Sequence, residues 1–143
     1  MRRTVKTSLF IAIVAALLIA GMASAHADFL RSDPAPNTVL PTAPARVDIW
    51  FTEPIEPGFS TIAVLFEDGA TADGGDSAVS SIDAARLGVT LAETREGTYL
   101  VLWRVLSAVD GHITSGSFVF SVGKPIDRSV GAQSGGAVTS PLD

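Results

Sequence analysis

The stretch Thr98-Tyr99-Leu100-Val101-Leu102-Trp103-Arg104-Val105 constrains the fold of this chain more than any other feature. It is dense in β-branched and aromatic residues, which fit a pleated, half-buried surface and lose rotamer freedom in a helix. Similar but shorter runs cover Asp28–Asp33, Arg46–Phe51, Thr61–Phe66, Ala78–Ile82, Leu87–Leu91 and Ser117–Val122. Turn formers separate them, among them Pro34-Ala35-Pro36-Asn37, Glu53-Pro54 and Glu67-Asp68-Gly69. About seven short strands at this spacing, with no long helical period, predict an all-β sandwich or barrel. Asp83–Leu87 is expected to form a single helical turn, and the Gly- and Asp-rich stretch Gly69–Ser77 a mobile loop. Trp50, Trp103, Phe118 and Phe120 are expected in the core.

Ahead of this pattern stands a leader. Arg2, Arg3 and Lys6 precede an uncharged apolar stretch of 14 residues, Leu9–Met22, and then Ala23-Ser24-Ala25. Basic, apolar and small-residue zones in that order make a secretory signal peptide, residues 1–25, cut after Ala25. Ala25-His26-Ala27 also fits the small-x-small rule, so a cut after Ala27 competes with it. The apolar stretch is shorter than the roughly 20 residues that span a bilayer, which argues against an uncleaved anchor. The expected organisation is a leader, a β-domain over residues 26–123 and a flexible tail over residues 124–143. The tail is rich in Gly, Ser and Ala, and the expected location is periplasmic or secreted.

Composition narrows the chemistry. There is no cysteine, so neither disulfides nor a lipid-anchored cysteine are available. Both methionines, Met1 and Met22, lie in the leader. The exported part therefore has no sulfur ligand, and a metal site there must use nitrogen and oxygen, which favours Cu(II), Zn or Ni over Cu(I). The leader carries three of the ten basic residues, leaving 15 acidic against 7 basic and a net charge of about −8. Such a surface repels phosphate backbones, so nucleic acid is not an expected partner.

The chain has two histidines. His26 follows the first cleavage position, and His112 ends Asp110-Gly111-His112, between the two strongest strands. At a free amino terminus His26 offers an amine and an imidazole nitrogen to one ion. A second imidazole and a carboxylate complete a planar set of three nitrogens and one oxygen, which suits Cu(II). If the stretch is extended, Asp110 and His112 point to the same side. The plainer alternatives are an accidental histidine near a cut and an ordinary Asp-Gly hairpin turn.

Three segments together resemble the CopC family of copper-resistance proteins: His26–Asn37, Val47–Pro54 with Phe51-Thr52-Glu53-Pro54, and Trp103–Phe120. The resemblance spans roughly His26 to Val122. It implies a Greek-key β-sandwich or barrel of immunoglobulin-like or cupredoxin-like appearance, with Cu(II) held by His26, Asp110 and His112. It also implies that Glu53 lies near the metal as an outer acceptor orienting the amine or a bound water. Some members carry a Met-rich Cu(I) loop, for which this chain has no residues.

The resulting expectation is a monomeric, non-enzymatic exported protein that binds one Cu(II). It would sequester copper, confer resistance, or deliver copper to a CopD-like membrane transporter. Two alternatives stand beside it. One is a histidine-brace copper oxidase or monooxygenase, in which Asp110 would fill a position that oxygen chemistry needs open. The other is a metal-free β-sandwich interaction module.

Overall fold

The computed structural model describes residues 26–134; the leader lies outside the described residues. Eight strands appear among them: β1 (Phe29–Asp33), β2 (Val39–Leu40), β3 (Arg46–Phe51), β4 (Thr61–Phe66), β5 (Ala78–Val79), β6 (Arg86–Thr90), β7 (Gly97–Leu106) and β8 (Ile113–Val122). They form two four-stranded sheets, β1-β3-β6-β5 and β2-β8-β7-β4, and most connections cross from one sheet to the other. This is the all-β sandwich expected. No helix among the described residues is long and apolar enough to cross a membrane.

Strand alternation builds the core. Val47, Ile49 and Phe51 on β3, Ile62, Val64 and Phe66 on β4, and Leu87 and Val89 on β6 are buried between the sheets. They meet Tyr99, Val101 and Val105 of β7 and Phe120 of β8. Tyr99 stacks on Phe120 at 4.8 Å, and its hydroxyl donates to the Arg95 carbonyl at 2.8 Å, so the buried phenol keeps a partner. Gly116 on β8 lies under Trp103: a Cβ there would sit 2.5 Å from the indole.

Several expectations need correction. Trp50 is not in the core; it lies on the outer face of its sheet with the Arg31 guanidinium 3.5 Å above the ring. Trp103 and Phe118 are half-buried against the core rather than inside it. Asp83–Leu87 is a turn that runs straight into β6, closed by the Arg86 N–H on the Asp83 carbonyl. The loop expected to be mobile is fastened. Ala72 in it is fully buried, Asp73 accepts the N–H groups of Val64 and Gly75, and Asp76 accepts the N–H and hydroxyl of Thr90. Finally, the segment after Gly123 begins with structure. Asp127 caps a helix, α1 (Arg128–Ser134), by accepting the Ser129 N–H, and Val130 is buried. The rest of the expected tail lies outside the described residues.

Candidate metal centre

One end of the sandwich gathers the start of β1, the end of β3, the end of β7 and the start of β8. The arm His26-Ala27-Asp28 leads into β1 and is tied down at every residue. The Thr52 hydroxyl donates to the His26 carbonyl and accepts the Asp28 N–H, both at 3.0 Å. The Thr52 N–H donates to the Asp28 carbonyl at 2.9 Å. On the other sheet the Thr114 hydroxyl donates to the Ala27 carbonyl at 2.7 Å, and the Ala27 side chain is fully buried.

The loop between β7 and β8 is held separately. Buried Ser107 donates its hydroxyl to Glu53 and accepts the N–H groups of Val109 and Asp110. The Ser107 N–H donates to the His112 carbonyl, closing the loop at 2.9 Å. Asp110-Gly111-His112 is a turn, not the extended stretch expected. Gly111 takes a left-handed φ of +72°, and Asp110 Oδ1 accepts the His112 N–H at 3.0 Å. The turn, rather than strand alternation, brings the two side chains to one side.

The other oxygen of Asp110 faces both histidines. Oδ2 lies 3.1 Å from His26 Nδ1 and 2.9 Å from His112 Nδ1. The two rings meet edge to face, 4.6 Å apart. One ligand atom from each residue lies within 4.8 Å of the others. A metal–nitrogen or metal–oxygen bond of about 2.0 Å places neighbouring donors round a square plane about 2.8 Å apart and tetrahedral ones about 3.3 Å apart. The two spacings from Asp110 Oδ2 fall in that range, so the three residues can offer nitrogen and oxygen donors to one ion. The His112 N–H, followed by the Ser107 hydroxyl and the His112 ring, holds the Asp110 carboxyl down at about 2. Asp110 is thus an anion at any physiological pH.

The structure therefore brings together His26, Asp110 and His112, all three singled out in the sequence. Glu53 stands behind them on Ser107. Thr52, Ser107 and Thr114 were not singled out, because hydroxyl residues at strand ends carry no signal until the tertiary contacts are known. A cleft of about 440 Å³ beside β1 and β8, lined by Phe29, Trp103 and Phe118 among others, includes none of the three donor residues.

A family model described as the CopC domain matches residues 29–123. Copper transport protein CutJ of Bacillus subtilis is 37% identical over 101 residues, 70% of this chain; the match spans only 18% of that protein's length. Protein YobA of Escherichia coli is 34% identical over 113 residues, 78% of this chain and 90% of its own. Among solved structures, CopC from Methylosinus trichosporium OB3b superimposes with a TM-score of 0.60 at 28% identity, covering 71% of this chain and 97% of that one. PcoC, a methionine-rich copper resistance protein from Escherichia coli, gives 0.60 at 24% identity, covering 68% of this chain and 99% of its own, a likeness of fold.

Proposed function

The chain belongs to the CopC family, a family of copper-binding and copper-resistance proteins rather than enzymes, and from that premise we propose that it is an exported carrier of one Cu(II). The observation that carries this reading is the convergence of His26 Nδ1 and His112 Nδ1 on a single oxygen of Asp110. Cleavage after Ala25 would add the α-amine of His26 and complete a set of three nitrogens and one oxygen. The buried Ala27 side chain and the bound Ala27 carbonyl support that cut over the one after Ala27, which would discard a residue of the core. Glu53 serves the site through Ser107, by fixing the turn that presents Asp110.

Copper is cargo here, and the residues act by presenting lone pairs at fixed spacing. All the donors are hard or borderline, which favours Cu(II) over Cu(I), and both methionines lie in the leader, leaving the exported part none for a Met-based Cu(I) site. The side chains of His26 and His112 are 38% and 63% exposed, which leaves the ion reachable by an acceptor. That accessibility is compatible with delivery to a CopD-like membrane transporter as well as with sequestration. The match to part of a copper transport protein supports the delivery role.

The test is calorimetry on the processed protein with His26→Ala beside it. One Cu(II) per chain is expected. The variant should lose at least about a hundredfold in affinity, since even outer residues of metal sites are worth tenfold or more. Equal binding by His26→Ala, or a mature terminus at Asp28, would sink the assignment.

A further inference from the structure

We infer that Thr52 and Thr114 form a cross-sheet latch that positions the His26 arm and sets how fast copper leaves; this rests on the copper-carrier reading of the site. The donors stand on two separate supports. Asp110 and His112 belong to a loop closed by its own contacts through Ser107 and Glu53. His26 belongs to an arm of three residues ahead of β1, outside either sheet's ladder. The arm keeps its own Asp28 N–H bond to the His26 carbonyl, the Thr52 N–H bond to the Asp28 carbonyl and the buried Ala27 methyl; hydroxyl chemistry adds the ties that run alternately to the two sheets. Thr52, just past β3, grips the His26 carbonyl and the Asp28 N–H. Thr114, on β8 of the opposite sheet and two residues beyond His112, grips the Ala27 carbonyl between them. Consecutive backbone groups of the arm are thus tied first to one sheet, then to the other, then to the first.

Each tie is to backbone, so the latch leaves the His26 side chain available to the metal. Thr52 and Thr114 act through the arm and are positioning residues. Their hydroxyl geometry matters more than their bulk: one Thr52 oxygen both donates and accepts, and valine, of the same shape, can do neither. An unlatched arm would spend only part of its time in the metal-holding position. Apparent affinity falls in proportion to that lost fraction, and the loss is expressed mainly as faster release.

The experiment uses the full processed chain with Cu(II) as the probe. Stopped-flow transfer to a chelator gives the release rate. Electron paramagnetic resonance gives the ligand set, and amide hydrogen exchange at Asp28 in the metal-free protein reports the arm itself. Thr52→Val is expected to release copper about tenfold faster, given two hydrogen bonds at a few-fold each. It should keep the same nitrogen ligand set and exchange the Asp28 amide faster. Thr52→Ser should restore wild-type values, and Thr114→Val should show a smaller acceleration of the same kind. Thr52 is exposed, so valine is accommodated; if that variant misfolds, Thr114→Val carries the test from the other sheet. Wild-type release rates in both valine variants, or a Thr52→Ser protein no better than Thr52→Val, would overturn the latch. Tight binding through His26 with wild-type release in both valine variants overturns the latch alone. Absence of Cu(II) binding by the wild type, or tight binding by His26→Ala, overturns the site and the latch with it.

Discussion

Two loops of this sandwich are built from the same materials and do different things. Residues 69–77 and residues 107–112 both combine Asp and Gly, and both use carboxylates to bind backbone N–H groups. In the first loop every oxygen of Asp73 and Asp76 is taken up by Val64, Gly75 or Thr90. In the second, Asp110 gives one oxygen to the His112 N–H and turns the other toward two imidazoles. In the first arrangement each oxygen already accepts from the protein's own backbone or hydroxyl groups, which holds the chain. The second holds the chain and keeps an anionic donor in hand. The difference between the two turns is thus one carboxylate oxygen, which in the second faces imidazoles rather than backbone.

Paired substitutions sharpen that contrast. Asp110→Ala is expected to lose at least about a hundredfold in Cu(II) affinity by calorimetry, as a ligand should cost more than an outer partner. Its thermal midpoint should stay close to wild type. Asp73→Ala should do the reverse. The part-buried Val64 N–H loses its acceptor at about 1 kcal/mol and the exposed Gly75 N–H at less, which lowers the midpoint by roughly 5 °C, with copper affinity unchanged in the folded protein. A fall in copper affinity for Asp73→Ala equal to that for Asp110→Ala would break the comparison. Gly111→Ala forces a side chain into the left-handed region at a cost of about 1 kcal/mol, and a several-fold weaker Cu(II) affinity is expected in the same titration.

The smallest effect concerns acid. The Thr90 N–H, then its hydroxyl, lowers the Asp76 carboxyl below its ordinary value. A carboxyl depressed in the folded state stabilises the fold above its unfolded value of about 3.9 and loses that contribution as pH falls through the folded one. Asp76→Asn should therefore flatten the stability profile below about pH 4 in thermal scans. Copper should leave at higher pH than this, because protons compete for the nitrogen donors while Asp110 stays ionised to about 2. Simultaneous loss of copper and fold in an acid titration would contradict that order.

The sequence was legible where local preference and tertiary role agree. β3, β4 and β7 are runs of β-branched and aromatic residues whose alternate positions fill the core. β2 escaped notice because two residues cannot show alternation, and its parallel pairing with β8 is a long-range contact. The first four residues of β8 fell outside the expected Ser117–Val122 because Ser115 and Gly116 dilute the pattern; Gly116 is small to make room for Trp103. α1 is seven residues long and contains a glycine, and it depends on Val130 and on the Asp127 N–H donated to Thr98. Trp50 was misplaced because aromatic content signals a strand and not which face of it points inward. In the site, the scarcity of histidine made His26 and His112 conspicuous. Hydroxyls are common in strands, so Thr52, Ser107 and Thr114 became visible only through the groups they touch.

The sealed position of Ala27 turns the chain into a ruler. With that methyl seated in the core, a cut after Ala25 would leave one residue, His26, between it and the amino terminus. A recombinant version carrying even one extra amino acid, or an affinity tag, ahead of His26 would fold normally and keep both imidazoles on Asp110. The His26 nitrogen would be an amide, and the free amine would sit on the added residue, outside the His26 chelate. Such a protein is expected to be a weakened copper binder with native circular dichroism. Intact mass therefore has to be checked before any titration of this domain is interpreted.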